Sequence, residues 1–257
     1  MRYKQFNVFL NTKISPFNKV IKVDPDKSLS IRSFLIGSIS QNISSVKNTL
    51  ESEDVLSAIS ACRKLGVKIK KVSPKYYKIH GKGLGSLWIK KNAELNFGNS
   101  GTLARLLVGI LSSSPNIELK IQGDHSLNKR SMKELINLMS KFGATFLPKK
   151  KYSFPLKLIS SKMPIGINYK AGVSAQLKSA VILAGLNSYG NTIIEEKISS
   201  RNHTENILAK NFDAIKIKGS KKKIITVFGK KNLKPLNINV SGDPSSAAFF
   251  TALTLLN

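Results

Sequence analysis

Uninterrupted apolar runs along the chain alternate with segments in which apolar residues recur every three or four positions. Four of the uninterrupted runs follow the same signal, a turn containing Gly or Asp and then a serine suited to cap a helix. A helix that is apolar on all sides belongs in a protein core. The pattern therefore predicts four buried helices, whose leading serines are Ser28, Ser100, Ser174 and Ser245.

These four serines are separated by 72, 74 and 71 residues, which indicates an internal repeat. Within each interval an amphipathic helix ends at a Gly or Asp suited to a left-handed C-terminal cap. Short strands with alternating polarity follow it. The predicted amphipathic helices cover residues 53–66, 131–143 and 204–213, and the predicted strands cover 67–70, 76–80, 144–147, 156–159, 214–217 and 224–228.

Three such units occupy residues 24–240, each with an apolar helix, a strand, an amphipathic helix and two strands. A fourth unit begins at Gly242, and the sequence ends at Asn257 within the apolar helix of that unit. Because such a helix needs cover on every side, we expect either a partner chain or, in preference, an incomplete sequence.

The chain has 257 residues and a formal net charge of +28, which is compatible with a nucleic-acid partner. Of the 42 basic residues, however, 36 are lysines spread along the chain and only 6 are arginines. Proteins that read nucleic acid rely on the planar fork of arginine. The charge therefore favours a small anionic substrate, and we expect neither a nucleic-acid nor a membrane partner.

The rest of the composition excludes several classes of protein. The single cysteine, Cys62, excludes internal disulfides and a cysteine-based zinc cluster, and the three histidines lack the spacing of metal ligands. No apolar stretch approaches the roughly 18 residues that span a membrane. The first residues lack the apolar segment of a secretory signal. We expect a soluble cytoplasmic protein without a metal.

Polar residues gather where the turns meet the apolar helices. A helix N-terminus offers free N–H groups and a partial positive charge, which suit phosphate or carboxylate. Each serine and glycine there also has a purely structural interpretation as a cap or turn residue. Spacing alone therefore predicts a repeated α/β protein that binds a polyanion, without indicating a reaction. Four of the six arginines lie in or just beyond these loops: Arg32, Arg105, Arg130 and Arg201.

Five loop motifs make a family recognisable. In chain order they are DKSLSIR, GNSGTLARLL, GDHSLNKRSM, SAQLKSAVILAGL and SRNHTE. Together they closely resemble the 5-enolpyruvylshikimate-3-phosphate synthase family, the 3-phosphoshikimate 1-carboxyvinyltransferases, from about residue 20 to the end. The resemblance implies an α/β fold in which each of two domains has three βαβαββ units about a pseudo-threefold axis. It implies one complete domain at residues 20–240 and the beginnings of a second, incomplete domain at residues 1–19 and 241–257.

The resemblance also implies a reaction and its residues. The family transfers the enolpyruvyl group of phosphoenolpyruvate to the 5-hydroxyl of shikimate-3-phosphate by addition and elimination, and phosphate is released. It needs no metal or organic cofactor, and its members are usually monomeric. By motif, the ligands of shikimate-3-phosphate are Lys27, Ser28, Arg32, Ser174, Ala175, Gln176 and Arg201. Those of phosphoenolpyruvate are Lys27, Asn99, Ser100, Gly101, Arg130 and Gln176, and Lys27 has a catalytic role in stabilising charge.

Some features separate this chain from the family pattern. The acid–base carboxylates of the family come from its second half and match nothing here, so we expect this polypeptide to be inactive alone. One alternative is the related UDP-sugar enolpyruvyl transferase of cell-wall synthesis, which usually needs a reactive loop cysteine. Another is a basic nucleic-acid-binding repeat protein, which would bind any duplex in a salt-dependent manner. Residues that differ from the usual family choice are Pro25, Ile31, Ser131 and Asn202.

Overall fold

Three buried helices lie among three four-stranded sheets in the computed structural model, which describes residues 18–220 and 222–256. The helices are α1 (Lys27–Ile39), α3 (Gly101–Ser113) and α6 (Ala175–Leu186). They coincide with the first three apolar runs of the sequence, because residues that are apolar on every face are stable only away from water. The predicted second-domain segment at residues 1–19 lies, up to residue 17, outside the described residues. The division into two domains therefore stays a prediction.

Each sheet takes three or all four of its strands from one repeated unit of the chain. The first unit contains α1, β1 (Ile43–Lys47), α2 (Glu53–Lys64), β2 (Lys68–Ser73) and β3 (Tyr76–His80). The second contains β4 (Glu94–Asn96), α3, β5 (Glu118–Gln122), the short α4 (His125–Asn128), α5 (Lys133–Lys141), β6 (Thr145–Leu147) and β7 (Leu156–Ile159). The third contains β8 (Asn168–Ala171), α6, β9 (Asn191–Glu196), α7 (His203–Asn211), β10 (Ile215–Lys218) and β11 (Lys223–Phe228).

All three sheets have the same topology. In the second and third units the leading strand pairs in parallel with the next strand, and the other pairings are antiparallel. In the first unit the corresponding parallel strand is β12 (Asn237–Asn239), which follows the third unit in the chain and pairs with β1. The predicted α/β class with three βαβαββ units is confirmed, and the first unit is closed by a strand distant in sequence.

Helices α3 and α6 pack so closely that one contact point has no room for a side chain. A Cβ atom added at Gly109 would lie 2.5 Å from the carbonyl oxygen of Ala180 and 2.9 Å from its Cα atom. Both helices are buried along nearly their whole length. This close approach fixes the spacing of the two helix N-termini, where the predicted binding motifs lie.

Two of the four predicted serine caps are wrong. Ser100 and Ser174 cap α3 and α6, accepting bonds from Leu103 N and Leu177 N. Helix α1, however, is capped by Asp26, whose carboxylate accepts the N–H of Leu29 over 2.7 Å, so Ser28 lies inside the first turn. At the fourth helix, Asp243 Oδ1 accepts the N–H of Ser245. An aspartate rather than a serine caps both helices, because the full negative charge of the carboxylate also interacts with the helix dipole.

The left-handed caps of the amphipathic helices are confirmed at two of three places. Gly66 and Gly143, which follow α2 and α5, have φ angles of +83° and +95°. The prediction for Asp213 is wrong, because α7 ends at Asn211 and Phe212 is already extended, with φ −145° and ψ 146°. A chain that leaves its helix in an extended conformation needs no left-handed residue.

The chain enters the first unit beside the place where it leaves the last one. Asp26 N donates to Ser241 O and Asp243 N donates to Asp24 O, both over 2.9 Å. The helix that follows, α8 (Pro244–Leu256), is apolar, but Phe249 and Leu255 are 79% and 81% exposed. The predicted burial of this fourth helix is therefore not seen among the described residues. None of the described helices is long and apolar enough to cross a membrane.

Candidate substrate site

The N-termini of three buried helices lie at the same end of the fold. Gln176 Nε2 donates to Thr102 Oγ1 over 2.9 Å, which joins the first turns of α6 and α3. Arg32 Nη2 donates to Ser179 Oγ over 3.2 Å, which joins α1 and α6 one turn further along. Free N–H groups of aligned helices attract anions. The geometry therefore brings together three helix starts of a kind that suits anions, at the positions of the sequence motifs.

Two guanidinium groups close around the first turn of α3. A Cβ atom added at Gly101 would lie 2.8 Å from Arg105 Nη1 and 3.2 Å from Arg130 Nη1. Arg130 Nη2 donates to Asn99 Oδ1 over 2.7 Å, and Arg105 Nη1 donates to Gly101 O over 3.1 Å. Absence of a side chain at Gly101 is what lets both guanidiniums approach the helix N-terminus.

The electrostatics of this pair favour an anion between them. Burial lowers the pKa of Arg105, the positive charge of Arg130 lowers it further, and Glu134 opposes both effects. Neither arginine forms an ion pair with a carboxylate within residues 18–220 and 222–256. Two adjacent guanidiniums without a counter-ion, beside a helix N-terminus, suit a phosphate or carboxylate group.

The predicted residues of the first unit differ in their exposure. Lys27 is the first residue of α1, and its ammonium group lies 2.9 Å from Asp54 Oδ2 with its side chain 47% exposed. Ser28 is half-buried, and its carbonyl oxygen accepts a bond from Arg32 Nη1 over 3.1 Å. Lys27 is thus near the surface of the site, and Asp54 holds it there.

Arg32 lies beneath this surface rather than on it. The residue is 3% exposed, and besides Ser28 and Ser179 it donates to Thr204 Oγ1 through Nε over 2.8 Å. Three of its five N–H groups are therefore used by the protein, which leaves two for a ligand. Burial lowers the pKa of Arg32 to about 10, against the attraction of Glu205 and Asp26, so the group stays charged at neutral pH.

Arg201 lies on the exposed loop between β9 and α7. It donates to Ser245 Oγ at 3.5 Å, and its positive charge acts on Arg32. The neighbouring His203 has a buried Nδ1 atom without a hydrogen-bond partner in the described part of the chain. Burial lowers the pKa of His203, Asp26 opposes this, and the charges of Arg32 and Arg201 lower it further.

The predicted residues therefore form two groups that share one bridge. Arg32 and Arg201 lie near α1 and α7, whereas Arg105 and Arg130 surround the start of α3. Gln176, in the first turn of α6, connects the groups through Thr102. The remaining predicted residues lie on the same helix starts, with Ser174 and Ala175 on α6, Lys27 and Ser28 on α1, and Asn99, Ser100 and Gly101 on α3.

Sequence reasoning did not include several residues that build this site among the predicted ligands. Thr102 and Asp54 hold predicted ligands, and Ser179 and Thr204 hold Arg32. Thr102 and Thr204 lie inside the quoted motifs, so their position was available as a signal. The role of Asp54 could not be predicted from the sequence, because its contact with Lys27 depends on how α2 packs beside α1.

The thiol of Cys62 lies away from these groups, inside α2. It is 1% exposed, and burial raises its pKa to about 11 although Ser38 opposes this. A thiol with a raised pKa is a poor nucleophile. The reactive loop cysteine expected of the UDP-sugar alternative is therefore not provided by Cys62.

Comparison with known proteins agrees with the motifs. A sequence model of the EPSP synthase family (3-phosphoshikimate 1-carboxyvinyltransferase) matches residues 11–257. The chain is 40% identical to the 3-phosphoshikimate 1-carboxyvinyltransferase of Novosphingobium aromaticivorans over 95% of this chain and 56% of the relative. It is 38% identical to that of Zymomonas mobilis, over 96% and 54%.

Solved structures show the same fold. EPSP synthase from Acinetobacter baumannii superposes with a TM-score of 0.80 at 36% identity, covering 90% of this chain and 52% of that one. The chain thus spans about half the length of the curated relatives that it matches. With the family match over nearly its whole length, the chain belongs to the EPSP synthase family.

Proposed function

We propose that the protein acts in the transfer of the enolpyruvyl group from phosphoenolpyruvate to the 5-hydroxyl of shikimate-3-phosphate, with release of phosphate. One observation carries the proposal: two pairs of arginines lie beside helix N-termini and are joined through the bond from Gln176 to Thr102. Each substrate carries a phosphate and a carboxylate. Two linked anion sites match two doubly anionic substrates.

The residues near α1, α6 and α7 are proposed to hold shikimate-3-phosphate. Arg32 has two N–H groups left for a ligand, and Arg201 is exposed beside it. The hydroxyl and N–H groups at the start of α6 suit a phosphate. The proposed ligands are Lys27, Ser28, Arg32, Ser174, Ala175, Gln176 and Arg201.

The residues around α3 are proposed to hold phosphoenolpyruvate. Arg130 and the turn at Gly101 face one another, and Arg105 lies beside both. Lys27 is proposed to be catalytic, because an exposed ammonium group at a helix start can stabilise negative charge that develops during addition. The proposed ligands are Lys27, Asn99, Ser100, Gly101, Arg130 and Gln176.

We also propose that the protein works in the cytoplasm, without a nucleic-acid or membrane partner. The composition supports this, since the excess charge is mostly lysine and four of the six arginines belong to the two anion sites or their motifs. The lone thiol of Cys62 is buried, which suits a reducing compartment.

Isothermal titration of the 257-residue chain tests the proposal. We expect saturable binding of shikimate-3-phosphate and weaker binding of shikimate, which lacks the phosphate. Duplex DNA at physiological salt serves as the control for unspecific attraction by the +28 charge. The absence of shikimate-3-phosphate binding, or equal affinity for shikimate, would contradict the proposal, and tight salt-dependent binding of DNA would favour the nucleic-acid alternative.

A further inference from the structure

A lysine lies near the N-terminus of the apolar helix α6. Lys178 is fully buried, and its Nζ atom lies 2.5 Å from Glu196 Oε1 and 2.6 Å from Glu205 Oε1. Both carboxylates are also buried, with exposures of 2% and 1%. One ammonium group therefore joins two carboxylates away from water. Neither the proposed chemistry nor the family motifs give this triad a role.

The two carboxylates mark the two ends of the loop that carries Arg201. Glu196 is the last residue of β9, and Glu205 lies in the first turn of α7. Glu196 Oε1 also accepts the N–H and the hydroxyl of Ser200, over 3.0 and 2.9 Å. Burial alone would raise the pKa of Glu196, but the hydrogen bond from Lys178 and those from Ser200 together outweigh it and hold the pKa below its usual range. Glu205 contacts the same ammonium group as an ion pair, and neither of its carboxylate oxygens has a hydrogen-bond partner among the described residues. One ammonium group thus holds both ends of the loop beside α6.

The next residue of α6 extends the same network to the first unit. Thr204 Oγ1 donates to Ser179 Oγ over 2.8 Å and accepts from Arg32 Nε over 2.8 Å. Glu205 also attracts Arg32 electrostatically. The network therefore connects the three elements proposed to hold shikimate-3-phosphate: the start of α1, the start of α6 and the loop with Arg201.

Stability alone does not account for such a triad. Removing three ions from water is unfavourable, and well-packed apolar residues of similar volume often replace buried ion pairs with no loss of stability. What apolar residues cannot reproduce is the direction of the hydrogen bonds to Glu196 and the charge attraction of Glu205, which together set the position of the loop relative to α6. Fixing a loop in its binding conformation raises affinity because less order has to be imposed on binding.

We propose that Lys178 is a positioning residue, which together with Glu196 and Glu205 holds Arg201 and Arg32 in the geometry that binds shikimate-3-phosphate. The inference rests on the proposed function. If the inference is right, replacing the three ions by apolar residues lowers the affinity for shikimate-3-phosphate without an equal loss of folding stability.

The decisive variant replaces all three ions, Lys178→Met with Glu196→Met and Glu205→Met, so that no member of the triad is left buried without its partners. We expect its dissociation constant for shikimate-3-phosphate to rise about fivefold to tenfold, the cost of ordering one or two side chains and their loop. We also expect faster hydrogen exchange at the N–H of Ser200, which loses its acceptor. The control is Ile225→Val, a buried change in β11 of the same unit and outside the network, which should leave both unchanged.

The outcomes separate the inference from the function on which it rests. Suppose that the unmodified chain binds shikimate-3-phosphate and that the triple variant folds. If the dissociation constants of the two then differ by less than twofold, only the inference is overturned. If the unmodified chain does not bind, both fall. Should the triple variant not fold, Glu205→Gln keeps the volume and the Lys178–Glu196 pair, and unchanged affinity in that variant also overturns the inference.

Discussion

Gln176 and Thr102 come from different repeats, yet the amide of Gln176 donates to the hydroxyl of Thr102 over 2.9 Å. Each residue lies in the first turn of a buried helix, beside one of the two arginine groups. This bond is the direct link between the two proposed substrate positions. Because both substrates have to meet for the reaction, the link is the most informative place to disturb the site without removing a charge.

We expect Thr102→Val to raise the dissociation constant for shikimate-3-phosphate about fivefold, since it removes one hydrogen bond worth about 1 kcal/mol and frees the Gln176 amide. Valine has nearly the volume of threonine, so the fold should persist. The control is Thr226→Val on β11, outside the site. Titration calorimetry of both variants would contradict the role of Thr102 if their affinities were equal.

Arg130 is expected to bind a phosphate or carboxylate of phosphoenolpyruvate directly. Arg130→Ala should weaken the binding of phosphoenolpyruvate, measured in the presence of shikimate-3-phosphate, about 10-fold to 100-fold. This follows because hydrogen bonds to a charged group contribute about 1.5–3 kcal/mol. Lys129→Ala removes the same charge from the exposed neighbouring residue and should change the affinity less than twofold. Similar losses in both variants would show that net charge, and not the guanidinium geometry, attracts the ligand.

Gly109 is expected to be intolerant of even one methyl group. A Cβ atom there would lie 2.5 Å from the carbonyl oxygen of Ala180. Gly109→Ala should therefore lower the free energy of unfolding by about 1–3 kcal/mol, because two packed helices have to move apart. Gly172→Ala is the matched control, since nothing lies within 4 Å of the added atom. Equal midpoints of urea unfolding for the two variants would exclude the packing explanation.

Glu51 should make the folding stability depend on pH in the acid range. Hydrogen bonds from Lys71 and Tyr77 lower its pKa below the ordinary 4.5, although burial opposes them. A carboxyl whose pKa is lower in the folded state stabilises the protein above its unfolded pKa, and this contribution is lost as the pH falls through the folded value. The difference in thermal midpoint between the unmodified chain and Glu51→Gln should therefore shrink below pH 4.5. Glu53→Gln, at an exposed position without an ion pair among the described residues, is the control for loss of charge, and a difference that stays constant with pH would refute the prediction.

Much of the fold follows from local pattern. The helices α1, α3 and α6 were predictable because their apolar residues leave no face for water, and the caps at Ser100 and Ser174 follow from a serine before such a run. The caps at Asp26 and Asp243 were missed, since a carboxylate and a serine two residues apart both suit a helix start. In the fold the carboxylate caps both helices, since its full negative charge also interacts with the helix dipole. The pairing of β12 with β1 could not be predicted from the sequence either, because β1 lies nearly 200 residues earlier.

By itself, the sequence determined the threefold repeat, the three buried helices and the motifs of the candidate anion site, because periodicity and helix-start chemistry are local properties. The tertiary structure alone decided which groups act together. It placed Arg32 beneath the surface with Thr204 and Ser179, paired Arg105 with Arg130 across Gly101, and joined Lys178 to Glu196 and Glu205. The energies of these contacts depend on distances between side chains far apart in sequence, and those distances exist only once the repeats have packed together.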